Sequence, residues 1–317
     1  MINLERKKEL EKQGYRVIGN HSAVKICSWT KKSLLDKDVC YKQTFYNIKS
    51  HQCCQMTPSL YCCNKCLICW RDITQFNKNS LSEIDKTNEL DEPKDIIDNC
   101  IIKQRELLNG FPGNNNINQK KFKESLNPKY FAISLTGEPF IYPKIDSLLQ
   151  ELKKRNCCSF LVTNGMFPKK IENLSTLPNQ LYVSIDAPNK ELNKKIDNPS
   201  FKDHWSRLNK TLELLSSLKT RTCLRLTLVK NLNMQDTEGY AKLIKKARPK
   251  FVEIKSFMSV GYSRYRLEYK DMPLHNEIKE FSRKISMLTD YKIVDEKANS
   301  RVVLLMEDDR NRRLNFN

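Results

Sequence analysis

The stretch that decides the fold reads CCNKCLICW, from Cys62 to Trp70, and holds thiols at the spacing C-x3-C-x2-C. The cysteines at that spacing, Cys62, Cys66 and Cys69, fit one short loop that closes over a metal centre. Thiolates are soft ligands that select zinc, copper(I) or iron–sulfur clusters. Zinc would usually want a fourth ligand and a C-x2-C knuckle, whereas three cysteines on a four-iron cubane leave one iron open to a small molecule. The spacing therefore favours an iron–sulfur cluster with an open position.

Two alternatives stay open for this loop. Taking Cys63 in place of Cys62 gives C-x2-C-x2-C, a run found in ferredoxins, so spacing alone does not choose the first ligand. Free cysteine also behaves as a small apolar side chain, which makes an accidental cluster of buried cysteines a second interpretation. Asn64 and Lys65 prefer water, however, and they argue against burial of the whole loop.

Composition bounds the class of protein. The chain has 317 residues, enough for one large or two ordinary domains, and its hydrophobic content of 39% supports a core. Its 56 Lys and Arg against 37 Asp and Glu give a net charge of +19, which favours a polyanionic partner such as RNA or DNA. An AT-rich genome, which enriches Lys, Asn and Ile, would produce the same charge without such a partner.

The twelve cysteines are too many to be incidental. The sequence has no long apolar run that would span a membrane, and its charged start, MINLERKKELEKQG, lacks the apolar region of an export signal. Disulfides are therefore not expected, and clustered cysteines indicate metal sites. We expect a cytoplasmic protein that does not bind membranes.

A second set of cysteines lies upstream of the loop. Cys27, Cys40 and Cys53 are evenly spaced in separate turns of the chain, so they can form one site only by converging in space. Three converging thiolates would hold a second iron–sulfur cluster with an open iron. Buried structural cysteines are the alternative, and spacing does not decide between Cys53 and its neighbour Cys54.

From residue 129 the pattern changes to repeated strand–helix units. Apolar runs that alternate with helices are typical of a parallel sheet. Six such units, counting the cysteine loop and its helix, predict an α/β fold with a partial (β/α)6 barrel and functional residues at the carboxyl ends of its strands. The predicted strands are YFAISLTGEP, CCSFLVTNG, QLYVSIDAP, TCLRLTLVKN and KFVEIKSFM, followed by YKIVDE and SRVVLLME, which close the fold.

Elsewhere the chain carries weaker patterns. Residues 1–19 read as a charged amphipathic helix, and helices are also expected from about Pro93 to Leu108 and near His275–Leu288. The C-terminal tail, which contains Arg310, Arg312 and Arg313, is expected to be mobile.

Polar residues recur at the ends of three successive predicted strands. Glycine there lets the backbone approach a ligand closely, and a glutamate can accept a hydrogen bond from an ammonium group. Each residue alone is an ordinary turn former, but three groups at successive strand ends indicate a binding site. The group consists of Thr136, Gly137, Glu138, Thr163, Asn164, Ser184 and Asp186.

A loop after the last parallel strand, SVGYSRYRLEYKDMP, interleaves cations with aromatic residues. Tyr262, Arg264 and Arg266 suit phosphate contact and base stacking. A solvated loop without a partner is the alternative.

These motifs resemble a known family. The loop at Cys62, Cys66 and Cys69 resembles the radical S-adenosylmethionine (radical SAM) signature, with Ile68 where an aromatic residue is common. AVKIC, WTKKSL, CYKQTFY, SHQC and QMTP, all upstream of it, are similar to the tRNA 4-demethylwyosine synthase family of radical SAM enzymes. The resemblance covers about residues 15–305, and it favours Cys62 and Cys53 over their neighbours.

The resemblance implies two [4Fe–4S] clusters, one on the loop cysteines that binds SAM and an auxiliary one on the upstream cysteines. TGEP takes the place of the motif that binds the SAM amino group, and the other strand-end residues line SAM. The C-Y-K pattern places a pyruvate-reactive lysine at Lys42. The chain is accordingly divided into an N-terminal extension with the auxiliary ligands (1–58), a radical SAM core (59–290), and C-terminal strands with a basic tail (291–317).

The implied reaction condenses N1-methylguanosine at position 37 of tRNAPhe with pyruvate. SAM is cleaved to methionine and a 5′-deoxyadenosyl radical, which takes a hydrogen atom from the methyl group of the base. The methylene radical attacks pyruvate, which Lys42 holds as a Schiff base or the auxiliary cluster chelates. Loss of the pyruvate carboxyl carbon and ring closure then give 4-demethylwyosine.

The sequence contains no flavodoxin-like segment, so we expect an archaeal-type monomer served by a separate one-electron donor, a flavodoxin or a ferredoxin-like protein. Two other functions remain as alternatives. One is another radical SAM modification of RNA, such as methylation or thiolation, and the other is a non-catalytic iron–sulfur or zinc module that binds RNA.

Overall fold

The structure, a computed structural model, describes residues 2–74 and 90–316. Its strands belong to one sheet. The strands that were predicted from apolar runs between helices are all present. In chain order they are β1 (Tyr15–Ile18), β2 (Ser22–Lys25), β3 (Cys53–Thr57), β4 (Tyr130–Ile133), β5 (Cys158–Thr163), β6 (Gln180–Ile185), β7 (Arg221–Leu228), β8 (Phe251–Ser256), β9 (Lys292–Lys297) and β10 (Val302–Met306).

The helices predicted downstream of residue 90 are also confirmed, with ends within a few residues of those expected. In chain order the helices of the described residues are α1 (Leu4–Lys12), α2 (Ser28–Leu34), α3 (Tyr41–Tyr46), α4 (Pro93–Leu108), α5 (Gln119–Ser125), α6 (Ile145–Lys154), α7 (Pro168–Glu172), α8 (Lys190–Asp197), α9 (His204–Leu215), α10 (Thr237–Ala247) and α11 (His275–Leu288). Among these residues no helix is long and apolar enough to cross a membrane.

The sheet has the order β1-β2-β3-β4-β5-β6-β7-β8-β10-β9. Its six central strands, β3 to β8, are parallel, while β1 and β2 at one edge and β10 and β9 at the other are antiparallel. Within the described chain the edges β1 and β9 do not pair, so the sheet does not close. This arrangement confirms the partial (β/α)6 barrel and brings the carboxyl ends of six strands together.

The two faces of the sheet bury different cores. The outer face packs its alternate apolar residues against the helices, as Leu148 and Leu152 of α6 do. The inner face carries aromatic residues near the start of the strands, including Phe160, Tyr182 and Phe251. The short helix α3 inserts Tyr41, Phe45 and Tyr46 among these rings, so it fills the amino-terminal end of the barrel.

The prediction of a helix over residues 1–19 is wrong in its second half. Helix α1 ends at Lys12, and Gly14 takes a φ of 84°, a left-handed conformation that favours glycine and turns the chain. Tyr15–Ile18 then pair antiparallel with β2, since they bury nearly every side chain against the sheet. The strands of residues 1–58 thus extend the same sheet as the core strands.

The C-terminal tail, predicted to be mobile, lies against the closed end of the barrel. Arg312 Nη1 donates to Asp295 Oδ2 at 2.5 Å, and the backbone N–H of Leu314 donates to the carbonyl oxygen of Tyr46 at 2.9 Å. The Phe316 ring lies 6.0 Å from the ring of Tyr130, centroid to centroid. The side chains of Leu314 and Phe316 pack against the inner core and hold the tail in place. The neighbouring arginines made this segment look like a solvated tail in the sequence.

Candidate functional site

A cavity of about 420 Å³ lies at the carboxyl ends of the parallel strands. It brings together residues that are far apart in sequence, because loops from β3 to β8 all reach this end of the barrel. Both predicted sets of cysteines, the predicted lysine and most of the strand-end residues line it. The predicted residues in its wall are Cys27, Cys40, Lys42, Cys53, Cys62, Cys66, Cys69, Gly137, Glu138, Thr163, Asn164, Ser184 and Asp186.

The loop after β3 presents Cys62, Cys66 and Cys69 to the cavity, whereas Cys63 is only 1% exposed and packs in the core. Burial first, and then the Asp197 carboxylate and the neighbouring thiols, raise the pKa of Cys66 well above its usual range. Among the described residues no three His, Cys, Asp or Glu side chains lie close enough to share one ion. Thiolates that each bind a different iron of a cubane need not converge so closely, so the set fits an iron–sulfur cluster.

Backbone contacts hold this loop in place. Lys65 N donates to the carbonyl oxygen of Asp197 at 3.0 Å, and Leu67 N donates to that of Ile196 at 2.7 Å. From the other side, Arg266 Nε donates to the carbonyl oxygen of Leu67 at 3.1 Å, and Nη2 donates to that of Cys69. The end of α8 and the loop after β8 therefore fix the backbone between the three thiols.

The upstream cysteines converge although they come from separate turns. Cys27 and Cys40 directly precede α2 and α3, and Cys53 opens β3. The three thiols lie close enough to influence one another: burial, and then the Cys27 thiol, raise the pKa of Cys40 to about 11. Cys54 is fully buried and hydrogen-bonds to Cys100, away from the cavity. The chemistry of this donor set suits a second metal cluster, which would displace the thiol protons on binding.

Lys42, on the first turn of α3, points into the barrel and is 7% exposed. Its Nζ lies 4.7 Å from the ring centroids of Phe160 and Tyr182. Burial, and then the Arg225 guanidinium, lower the pKa of Lys42 below its ordinary value. A lysine amine in a dry site beside another cation is more often neutral, and a neutral amine is a nucleophile.

Glu138 occupies the end of the loop after β4 and is buried. Its Oε1 accepts a hydrogen bond from Thr163 Oγ1 at 2.7 Å, and its Oε2 accepts one from the backbone N–H of Asn164 at 2.8 Å. Burial raises the pKa of Glu138 to about 7, against the effect of these hydrogen bonds. The carboxyl group is thus held by two strand ends and is ready to accept a donor from a ligand.

The two residues before Glu138 line different cavities. Gly137 has a φ of 70°, and a Cβ there would clash with the backbone oxygens of Ser59 and Tyr61, so the turn can approach the start of the cysteine loop only with glycine. Thr136 does not line the main cavity. It lies in the wall of a smaller one of about 110 Å³, beside Tyr15.

Two buried oxygen atoms in the cavity wall have no hydrogen-bond partner among the described residues: Asp186 Oδ1 and Asn64 Oδ1. Burial raises the pKa of Asp186 to about 6. An unsatisfied buried acceptor costs free energy, so such atoms point to a ligand that donates to them. S-adenosylmethionine, which carries ribose hydroxyl groups and amino groups, meets that requirement.

The aromatic and basic loop after β8 borders the mouth of the cavity. Val260 lines the cavity, and the backbone N–H of Tyr262 donates to the carbonyl oxygen of Trp70 at 2.9 Å. Arg264 and Tyr265 face solvent, and Tyr265 is 83% exposed. Arg266 differs from them because its guanidinium is turned toward the cysteine loop.

The barrel interior also holds a charged group that was not predicted from the sequence. Arg225 of β7 donates from Nε to Glu253 Oε2 at 3.1 Å and from Nη2 to the Tyr41 hydroxyl at 2.9 Å. Lys255 follows Glu253 on the same face of β8 and lines the cavity. The signal was present, since FVEIKS places two charged residues at alternate positions of a strand that is otherwise buried.

Comparison with known proteins finds matches over most of the chain. The family model of the radical SAM superfamily matches residues 56–244, and the model for wyosine base formation matches residues 246–307. The S-adenosyl-L-methionine-dependent tRNA 4-demethylwyosine synthases of Pyrococcus abyssi and Pyrococcus horikoshii are each 48% identical over 303 residues. Each alignment covers 94% of this chain and 87% of the relative.

Solved structures are similar over the whole chain. The structure of TYW1 with a lysine-pyruvate adduct bound superposes with a TM-score of 0.87 at 36% identity, covering 99% of each chain. The crystal structure of archaeal TYW1 superposes with a TM-score of 0.80 at 33% identity, covering 99% of this chain and 100% of that one.

Proposed function

The chain belongs to the family of S-adenosyl-L-methionine-dependent tRNA 4-demethylwyosine synthases, and we propose that it carries out that synthesis. The reaction condenses N1-methylguanosine of tRNAPhe with pyruvate to form the tricyclic base. The observation that carries the proposal is the single cavity shared by two sets of three cysteines and by Lys42. Such a chamber holds a radical source and a carbon donor within reach of one nucleotide and away from water.

Cys62, Cys66 and Cys69 would hold a [4Fe–4S] cluster, which would supply the electron for reductive cleavage of S-adenosylmethionine to methionine and a 5′-deoxyadenosyl radical. Asp186 Oδ1 and Asn64 Oδ1, which have no hydrogen-bond partner among the described residues, accept hydrogen bonds from this ligand in the proposal. These two residues therefore orient the ligand inside the cavity.

In this proposal Glu138 accepts a hydrogen bond from the ammonium group of S-adenosylmethionine. Its carboxyl group lies in the cavity wall and is already aligned by Thr163 and Asn164. An ionised carboxylate that receives a charge-assisted hydrogen bond is a stronger partner than a neutral acceptor. Gly137 and Ser184, which line the same cavity, complete the binding surface.

Cys27, Cys40 and Cys53 hold a second [4Fe–4S] cluster in this proposal. Their thiols face the cavity, and each lies within electrostatic range of the others. Three thiolates leave one position open for a substrate, as in the first site.

Lys42 binds pyruvate in this proposal. Its neutral amine attacks the carbonyl carbon, and loss of water leaves an imine that fixes the carbon donor in the barrel. The lowered pKa of Lys42 supports this role, as does the lysine-pyruvate adduct in the solved structure of TYW1.

The tRNA approaches the mouth of the cavity in this proposal. The net charge of +19 favours a polyanion, and Tyr262 and Arg264 lie in the loop that borders the mouth. Arg266 acts from the same loop, where it also supports the cysteine loop.

The chain acts as a cytoplasmic monomer with a separate flavodoxin or ferredoxin-like electron donor in this proposal. The many free thiols suit a reducing compartment.

The test is mass spectrometry of nucleosides from tRNA incubated with anaerobically reconstituted protein, S-adenosylmethionine, pyruvate and a reductant. The expected product is 4-demethylwyosine, formed with consumption of one pyruvate. The Cys66→Ala variant and tRNA without the N1-methyl group are the controls, and both should give none. Modification of the methylated guanosine without use of pyruvate would overturn the proposal.

A further inference from the structure

Lys255 lies on the inner face of β8, one layer nearer the cavity mouth than Glu253. Its Cα partner on the neighbouring strand is Thr227, while Glu253 pairs in register with Arg225. Lys255, Thr227 and Arg225 all line the cavity. A lysine side chain at this position therefore extends from the barrel wall into the space that the two sets of cysteines share.

The carboxylate of Glu253, the neighbouring charged residue on the same face of β8, already has partners. Glu253 accepts from Arg225 Nε at 3.1 Å, from the Tyr41 hydroxyl at 3.0 Å and from the Tyr46 hydroxyl at 2.7 Å. The carboxylate thus has one cation and two hydroxyl donors. It is satisfied without Lys255.

The ammonium group of Lys255 has no hydrogen bond and no ion pair with any residue in the part of the chain that the structure describes. Glu253, Cys40 and Asp186 lie within electrostatic range of Lys255, but none of them forms an ion pair with it. Burial, and then the Arg225 guanidinium, lower the pKa of Lys255 to about 8, so the group is still largely protonated at neutral pH. Lys255 is half-buried, and a cation that is partly withdrawn from water without a partner is costly, which indicates that an anion completes the site.

We propose that Lys255 binds the carboxylate of the 2-oxo acid whose carbonyl carbon reacts with Lys42. The inference rests on the proposed function and names the residue that selects its carbon donor. A 2-oxo acid has an electrophilic carbon directly bonded to a carboxylate, so recognition needs a nucleophile and a separate cation. Arg225 is held by Glu253 and Tyr41. Arg71, another cation in the cavity wall, donates to the carbonyl oxygen of Ser134, whereas the Lys255 ammonium group has no hydrogen bond to any described residue.

This arrangement makes the site selective for charge. A neutral ketone presents the same carbonyl group to Lys42 but has no anion for Lys255. Lys255 is thus a positioning residue for the donor, and its loss should affect 2-oxo acids far more than neutral ketones.

The experiment measures trapping on Lys42 by borohydride, with peptide mass mapping, over a range of pyruvate concentrations and separately of hydroxyacetone. Lys255→Met removes the charge with little change in volume, and Lys255→Arg retains it. Lys245→Met, on the exposed face of α10, is the matched control. Iron content and circular dichroism report folding, and Lys255→Gln serves as a second neutral variant if Lys255→Met fails to fold.

In the Lys255→Met variant we expect the half-saturating pyruvate concentration to rise roughly ten- to a hundred-fold, as for loss of one charge-assisted hydrogen bond. Trapping of hydroxyacetone should not change, and Lys255→Arg should restore part of the pyruvate response. Equal pyruvate response in the Lys255→Met variant and the wild type would overturn the inference, as would an adduct on Lys255 itself. If the Lys255→Met variant lost only affinity for S-adenosylmethionine, Lys255 would bind the carboxylate of that molecule, and the inference would be overturned. Wild-type protein that traps no pyruvate would overturn the lysine role in the proposed function and this inference with it.

Discussion

Glu138 and Asn164 are joined by a hydrogen bond of 2.8 Å from the backbone N–H of Asn164 to the carboxyl Oε2 of Glu138. The bond links the loop after β4 to the loop after β5 at the cavity wall. The same carboxyl group has a pKa raised to about 7 by burial. A group with these properties changes its charge within the range where the enzyme can be assayed.

Binding of S-adenosylmethionine should strengthen as the pH rises through about 7, because the ionised form of Glu138 is the better partner for an ammonium group. The stability of the ligand-free protein should change the other way. The pKa of Glu138 in the folded protein lies above its ordinary value. The contribution of Glu138 to the free energy of unfolding is therefore present in acid and is lost as the pH rises through about 7. Calorimetric titration from pH 6 to 8 tests the first effect.

Glu138→Gln is the matched variant for this measurement. It should weaken binding roughly ten- to a hundred-fold above pH 7 and remove the part of the pH dependence that Glu138 causes. A Glu138→Gln profile parallel to that of the wild type would show that the titrating group lies elsewhere.

The neighbours Cys62 and Cys63 should differ sharply on substitution, because only Cys62 lines the cavity. Cys62→Ala should remove about four iron atoms per chain and abolish formation of 5′-deoxyadenosine. Cys63→Ala should retain iron and cost about 1 kcal/mol of stability. Iron analysis of anaerobically purified variants decides this, and iron loss in Cys63→Ala alone would assign the ligand to Cys63.

Cys53 and Cys54 form the corresponding pair for the auxiliary site. Cys53→Ala should lower bound iron by about four atoms per chain while leaving the first cluster in place. Cys54→Ala should keep the full iron content, since its thiol contacts Cys100 in the core. Unchanged iron in Cys53→Ala would count against a second cluster.

Arg264 and Arg266 lie two residues apart and should have separable effects. Arg264 is exposed, so Arg264→Ala should weaken tRNA binding and lower the slope of affinity against salt by about one. Arg266 donates to the backbone of the cysteine loop, so Arg266→Ala should speed iron loss to a chelator roughly tenfold. Filter binding and chelation kinetics distinguish the two, and identical behaviour of both variants would contradict the assignment.

Local sequence was sufficient for the parts of the site that one loop or one strand end determines. The spacing of Cys62, Cys66 and Cys69 predicted a compact ligand loop, and the polar ends of β4, β5 and β6 predicted the cavity wall. Each of these patterns is contained in one short segment, so it can be recognised without knowledge of the fold.

Features that depend on the register between distant strands could not be read in this way. Lys255 reaches the cavity because β7 and β8 align Thr227 beside it, a relationship that no single segment contains. The strand at Tyr15–Ile18 forms because β2 supplies its partner, and Thr136 turns to a second cavity because its loop packs on the N-terminal segment.

Helix α3 and the docked tail cover the amino-terminal end of the barrel. A tRNA bound across the cavity mouth would cover pyruvate and S-adenosylmethionine that are already bound in the cavity. Loading should therefore follow a fixed sequence, with pyruvate and S-adenosylmethionine first and the tRNA last. By the same argument the modified tRNA should leave before methionine and 5′-deoxyadenosine.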